Sequence, residues 1–147
     1  MIQDSQVLGL TEKYIIFHGS IVFLTGVLAG VPYWLVIIRH KGEEIVRSWR
    51  VAHSFLCIYG MVMIIVGLLS PHLAIGAPIA SALLWSFVVA GYSFVIAFIV
   101  GAWRGCRALT PWPYGLNTFL FVCHGIGISG SLIGIAIMLY GSTKAIL

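Results

Sequence analysis

Three histidines lie inside long apolar stretches of this 147-residue chain, and their side chains could do chemistry there. His18, His53 and His124 stand in runs that contain no Asp, Glu, Lys or Arg. A neutral imidazole can coordinate a metal, exchange a proton or hydrogen-bond a neighbouring helix. His40 and His72 fall in predicted loops, where water solvates them readily. The chemistry of the chain is therefore concentrated in the other three histidines.

The residues that follow His53 indicate a particular helical face. Cys57, Gly60 and Gly67 lie four, seven and fourteen positions further on, so a helix presents them on the same side as the imidazole. Small residues allow either another helix or a flat cofactor to approach closely. A haem needs a neutral imidazole ligand beside apolar space. One interpretation is thus a haem ligand at His53, with Cys57 and Gly60 beside the cofactor, and the other is helix packing.

Small residues also follow His124 and occur in the first apolar run. Gly127, Gly130, Ser131 and Gly134 form such a face below His124, and Gly26 and Gly30 repeat the spacing near the start of the chain. Patterns of two small residues four apart are frequent in membrane helices. Both glycine pairs therefore predict close helix packing.

The elements that position these residues are membrane spans. The sequence is 61% hydrophobic and only 8% charged, whereas about a quarter of the residues of a soluble domain are charged. A helix needs about 20 apolar residues to cross the hydrocarbon core of a bilayer. The fold class predicted is all-α, an integral membrane four-helix transmembrane bundle forming one domain over residues 1–147. Its spans are residues 14–38, 51–70, 76–103 and 116–140, with the third helix expected to begin nearer Ile79.

The basic residues predict how the bundle lies in the membrane. Six lie in the first and third loops, against two beyond the other ends of the spans, so these loops are expected in the cytoplasm and both termini outside. The six are Arg39, Lys41, Arg47, Arg50, Arg104 and Arg107, and the two are Lys13 and Lys144. The sequence has no stripe of basic residues interleaved with aromatic residues, which is the pattern that would suggest nucleic-acid binding. Membrane lipids are the expected partners, in a bacterial inner membrane.

Depth along the helices groups the histidines. At about 1.5 Å per residue, His53 lies about one turn and His124 a little over two turns from the same predicted face. His18 lies near the opposite end of its helix. His53 and His124 are therefore expected to be able to approach one site, and His18 is not.

The combination of four spans and these motifs resembles a known family. The stretch "FHGSIVFLTGVLAG" and the helix-2 stretch "SWRVAHSFLCIYGMVMIIVGLLSPHL", which carries Trp-x-x-Ala-His-Ser, are similar to the styrene oxide isomerases and to hydroxylaminobenzene mutase. The resemblance covers most of the chain and is firmest in the first two helices.

The resemblance implies a homotrimeric membrane isomerase that binds haem b. Ferric iron would act as a Lewis acid on a small apolar aromatic substrate, turning an aryl epoxide into an aldehyde; the mutase turns an aryl hydroxylamine into an aminophenol. The residue that matches the iron ligand is His53. Neither rearrangement consumes an external oxidant or reductant.

The sequence departs from the isomerase pattern at the polar part of the site. Tyr59 stands where the family has Asn, six residues after the ligand histidine, and Tyr92 matches the family's tyrosine. Leu84, Trp85 and Ser86 occupy the region of its acid. Tyr59 and Tyr92 are candidate catalytic hydrogen-bond donors to a substrate oxygen, or simply buried aromatic residues.

Two further functions compete with the isomerase. One is a non-catalytic haem b or quinone protein for electron transfer, in which His53 and His124 are both axial ligands. The other is a structural membrane protein whose histidines only join helices. Absorption spectra distinguish the two haem proteins, because one axial ligand leaves an open coordination position and two do not.

Overall fold

Four long helices make up the chain, which is described here by a computed structural model. The structure describes residues 2–106 and 108–147, and the side chains from residue 9 onward, so Arg107 lies outside the described residues. The helices are α1 (Ile2–Ile38), α2 (Glu43–Leu69), α3 (Ala77–Arg104) and α4 (Leu116–Ile146), with a 3₁₀ turn, Ser70–His72, after α2. All four are long and apolar enough to cross a membrane. The predicted all-α membrane bundle is confirmed.

Local sequence explains where the helices begin and end. Gly42 precedes α2, whose first turn carries Glu43 and Glu44, and negative charge is favourable at the positive end of the helix dipole. Pro78 lies in the first turn of α3, where its missing N–H group leaves no helical hydrogen bond unmade. Gly105 ends α3 with a left-handed φ of 68°, a conformation that glycine adopts without steric strain.

Three helices begin earlier than the hydropathy pattern predicts. Helix α1 starts at Ile2 instead of Tyr14, α2 at Glu43 instead of Val51, and α3 at Ala77 instead of Ile79. Hydropathy marks the apolar length of a span, but a helix continues past that length wherever its ends are solvated. The extra turns of α2 carry Arg47 and Arg50, both exposed. As a result His53 lies nearly three turns into α2, deeper along the helix than predicted.

Glycines bring the helices close together in two pairs. A Cβ atom on Gly60 of α2 would lie 2.4 Å from the backbone nitrogen of Phe23 of α1. In the other pair, a Cβ on Gly134 of α4 would lie 2.5 Å from the ring of Phe87 of α3. These distances are far below van der Waals contact, so no larger residue fits without movement. The packing predicted for the small residues is thus seen in the structure.

The core lies mainly between α1, α2 and α3. Its largest fully buried side chains include Phe87, Leu56 and Met63. Many large apolar side chains face outward on every helix, among them Leu28, Trp34, Ile65, Trp85 and Leu132. So extensive an apolar surface is unfavourable in water but suits contact with lipid or with another membrane protein.

The close contact at Gly60 generates a stability prediction. Gly60→Val places a branched side chain against the α1 backbone, and overpacking of this kind costs about 1–3 kcal/mol. Thermal unfolding of the detergent-purified protein should therefore show a lower free energy of unfolding. Gly125→Val is the matched control, because nothing lies within 4 Å of a Cβ at Gly125. Equal stability of the two variants would contradict the packing described here.

Candidate functional site

The imidazole of His53 is held between α1 and α2. Its Nδ1 lies 2.8 Å from the carbonyl oxygen of Gly26, and the Tyr33 ring stacks on it with centroids 6.2 Å apart. A carbonyl can only accept, so Nδ1 carries the proton and donates it. This hydrogen bond fixes the tautomer and leaves the lone pair on Nε2.

The other nitrogen of His53 is free to bind a ligand. Nε2 has no hydrogen-bond partner among the described residues, and no buried side-chain nitrogen or oxygen in that part of the chain lacks one. Nε2 must therefore reach the surface of the single chain. A histidine that donates one ring N–H to a backbone carbonyl and presents the other nitrogen has the usual arrangement of a metal-ligating histidine.

Glycines of α1 make room for this imidazole. A Cβ on Gly30 would lie 3.2 Å from Nδ1 of His53, and one on Gly26 would lie 2.5 Å from the backbone nitrogen of Cys57. The Gly26 and Gly30 pair, which sequence analysis assigned to packing, thus also seats the histidine. The glycine spacing was visible in the sequence, but not which residue it faces.

The groove expected beside His53 is filled by α1. Cys57 packs against Gly26, Gly60 against Phe23, and a Cβ on Gly67 would lie 2.7 Å from Ile16. A flat cofactor has no space on this face within one chain. Cys57 and Gly60 therefore serve helix packing within the single chain, and their predicted contacts with a cofactor stay a prediction.

His124 lies on a different side of the bundle from His53. It lines a cavity of about 540 Å³ between α2, α3 and α4, and His53 does not line this cavity. Residues of α2 that do line it, such as Phe55, are two positions from His53, about 200° around the helix. The expectation that His53 and His124 approach one site is therefore not met within one chain, and a pair of axial ligands from these two residues is not formed there.

Tyr59 joins α2 to α4. Its hydroxyl lies 2.8 Å from Oγ of Ser131, and Ser131 in turn donates to the carbonyl oxygen of Gly127. Because the only proton of the serine hydroxyl is used there, Tyr59 is the donor to Ser131. The tyrosine that replaces the family's asparagine thus has its proton engaged between helices.

Tyr92 is paired with His18, the histidine that was predicted to lie apart from the other two. Its hydroxyl lies 2.9 Å from Nδ1 of His18. His18 also lines a cavity of about 260 Å³ with Leu84 and Trp85. Leu84, which occupies the region of the family's acid, therefore faces the His18 end of the bundle. Depth alone did not reveal this pair, since it depends on which helices are neighbours, and α1 and α3 bring positions 74 residues apart together.

Comparison with known protein families identifies the family of this chain. The family model described as styrene oxide isomerase matches residues 11–143. The chain belongs to the styrene oxide isomerase family. No curated protein and no solved structure matches it. Family membership supports an isomerase in the membrane, and the family match includes all three histidines of the spans.

The Tyr59 and Ser131 hydrogen bond can be tested by a double-mutant cycle. Tyr59→Phe removes the donor and Ser131→Ala the acceptor, so their effects on the free energy of unfolding should be non-additive by about 0.5–1.5 kcal/mol. Thermal unfolding in detergent gives the four values. As a control, Tyr92→Phe combined with Ser131→Ala should be additive within about 0.5 kcal/mol, since Tyr92 bonds to His18 instead. Additivity of the first pair would argue against the bond.

Proposed function

We propose that this protein is an integral-membrane isomerase that converts an aryl epoxide into the corresponding aldehyde, with haem b bound to His53. The observation that carries the proposal is the family match over residues 11–143. The tautomer of His53 supports it, because the hydrogen bond to Gly26 leaves Nε2 unprotonated.

The residues around His53 suit a haem ligand. The Gly26 carbonyl accepts the proton of Nδ1, and the Tyr33 ring stacks on the imidazole. The described residues contain no group of three or more His, Cys, Asp or Glu that could hold a bare metal ion. A haem needs no such group, since the porphyrin provides four iron ligands and one histidine is enough from the protein. Because Nε2 reaches the surface of one chain, the cofactor would lie against lipid or against a second copy.

The chemistry proposed needs an acid that can act on an oxygen in dry surroundings. Haem iron held by His53 would supply Lewis acidity toward the substrate oxygen. In the isomerisation the benzylic carbon–oxygen bond breaks, a hydride moves from the neighbouring carbon to the benzylic carbon, and the neighbouring carbon becomes the aldehyde. All atoms remain in the molecule, and no electrons are gained or lost overall.

The chain itself contributes position and the exclusion of water. His53 lies among Gly26, Gly30 and Tyr33, with no charged side chain in the apolar stretches. Water would open an epoxide to a diol, so an apolar site favours rearrangement over hydrolysis. Aromatic epoxides partition into bilayers, and the lipid is therefore a natural reservoir of substrate.

The departures from the family pattern favour a second candidate reaction on the same site. Tyr59 donates its proton to Ser131, and Leu84 has no acidic group, so the polar groups that the family uses on the epoxide are changed. The rearrangement of an aryl hydroxylamine to an aminophenol, the mutase reaction, is therefore proposed as the alternative substrate choice.

The assembly and orientation are also proposals. By resemblance the protein is a homotrimer, and its small-residue and apolar outer faces would supply the contacts between copies. The basic loops would face the cytoplasm of a bacterium, with both termini on the other side of the inner membrane. Tagging the amino terminus and testing its accessibility to a protease in spheroplasts measures the orientation.

Haem binding is tested by an absorption spectrum of the detergent-purified protein from haem-replete cells. The wild type should show a Soret band with a high-spin ferric spectrum, since one axial histidine leaves a position open. His53→Ala should abolish the band. His72→Ala is the control, because His72 is exposed in the turn after α2 and should leave the spectrum unchanged. A haem-free wild type would overturn the proposed cofactor, and a six-coordinate low-spin spectrum would favour electron transfer.

The reaction is tested with two substrates on the haem-loaded protein. Styrene oxide should yield phenylacetaldehyde, and His53→Ala should reduce turnover to the rate without enzyme, because the iron ligand is lost. Proton NMR of the product measures both. Conversion of phenylhydroxylamine to an aminophenol without epoxide turnover would identify the mutase reaction instead. A haem-loaded protein that converts neither compound would contradict both candidate reactions.

A further inference from the structure

His124 differs from the other two histidines of the spans in its hydrogen bonding. His18 pairs with Tyr92 and His53 with the Gly26 carbonyl. Neither ring nitrogen of His124 has a partner among the residues that the structure describes, and neither is buried, although the side chain as a whole is half-buried. Polar groups in apolar surroundings are normally hydrogen-bonded. An accessible imidazole that joins no helix to another is therefore available to hydrogen-bond a ligand in the cavity that it lines.

The surroundings of His124 are those of a small-molecule site. The ring stands edge-on to Phe98, with centroids 4.8 Å apart, on the wall of the 540 Å³ cavity. Small-molecule sites in proteins have volumes of about 300–1,000 Å³ and are apolar with a few well-placed polar groups. This cavity has that character, because its inner part offers His124 among phenyl rings.

The phenyl rings select the chemical class of the ligand. Phe55 lies 4.5 Å from Phe98 and 4.9 Å from Phe94, measured between ring centroids, and Phe121 lines the same cavity from α4. Offset and edge-to-face contacts with further aromatic rings are favourable in such a cluster. A flat aromatic molecule therefore makes more favourable contacts in this cluster than a branched aliphatic molecule does.

The cavity has an accessible mouth at the end of the bundle where α1 and α3 end and α2 and α4 begin. Arg47, which is exposed, lines it together with Cys106 and Leu109. From Arg47 to Phe55 the cavity extends over eight residues of α2, about 12 Å at 1.5 Å per residue. A ligand can therefore enter at the membrane boundary and place its apolar part inward.

We propose that this cavity binds a small aromatic molecule with one oxygen, whose ring lies among Phe55, Phe94 and Phe98 and whose oxygen hydrogen-bonds His124. The site is separate from the imidazole of His53, which faces α1 on another side of α2. The proposal does not require haem. A role in holding substrate or product in this cavity rests on the proposed function.

Photolabelling tests the site directly. The probe is 4-[3-(trifluoromethyl)diazirin-3-yl]benzyl alcohol, applied to the full chain in nanodiscs and located by peptide mass spectrometry. Saturable labelling is expected on the cavity-lining parts of α3 and α4, and an excess of 1-phenylethanol should prevent it. Gly125→Phe should remove this labelling, because Gly125 lines the cavity and a side chain there meets no atom within 4 Å at its Cβ. Ile126→Phe, outside the cavity lining, is the control and should label as the wild type does.

The role of the histidine is tested with two probes that differ by one hydroxyl. His124→Phe should weaken labelling by the alcohol about fivefold, the value of one hydrogen bond, and leave labelling by the matching toluene derivative unchanged. Labelling that Gly125→Phe does not reduce, or that no excess of alcohol prevents, would mean that lipid fills the cavity and would overturn the proposal. The same measurement on His53→Ala separates this result from the haem proposal, since the labelling should persist there.

Discussion

The close approach of α1 and α2 is the constraint on which the described site depends. Gly26 and Gly60 remove the side chains that would hold the helices apart, and the backbones meet at distances that no Cβ tolerates. In a bilayer, helices gain little from excluding lipid, so packing of this closeness and the hydrogen bonds it permits are what hold them together. The carbonyl of Gly26 is brought within 2.8 Å of His53 for the same reason. One contact thus determines helix packing and histidine tautomer together.

The polar residues of the spans differ in whether their hydrogen bonds join two helices. Tyr59 and Ser131 join α2 to α4, and His18 and Tyr92 join α1 to α3. Each of these residues has a partner in another helix, and a polar group without one is expensive in apolar surroundings. His53 uses one nitrogen for the structure and keeps the other. His124 uses neither within the described residues, whereas His18 has a partner in α3.

Family membership and local geometry account for different parts of this protein. The family match spans residues 11–143 and agrees with a membrane isomerase. Within this chain Tyr59 is engaged in a hydrogen bond between helices, and Leu84 lines a cavity with Trp85. A family can keep its four-helix scaffold while the polar groups of its site vary, because scaffold and site are stabilised by different contacts.

The sequence by itself determined the class of fold, the number of helices and the identity of the residues able to do chemistry. Apolar length and charge placement are local properties, and they fix four spans because a bilayer permits little else. Which face of a span meets which neighbour is not local, since small residues at Gly60 suit a cofactor and a helix equally well. Only the tertiary structure placed α1 on that face, separated His53 from His124 and paired His18 with Tyr92. It did so because helix rotation and pairing depend on contacts between residues far apart in the chain.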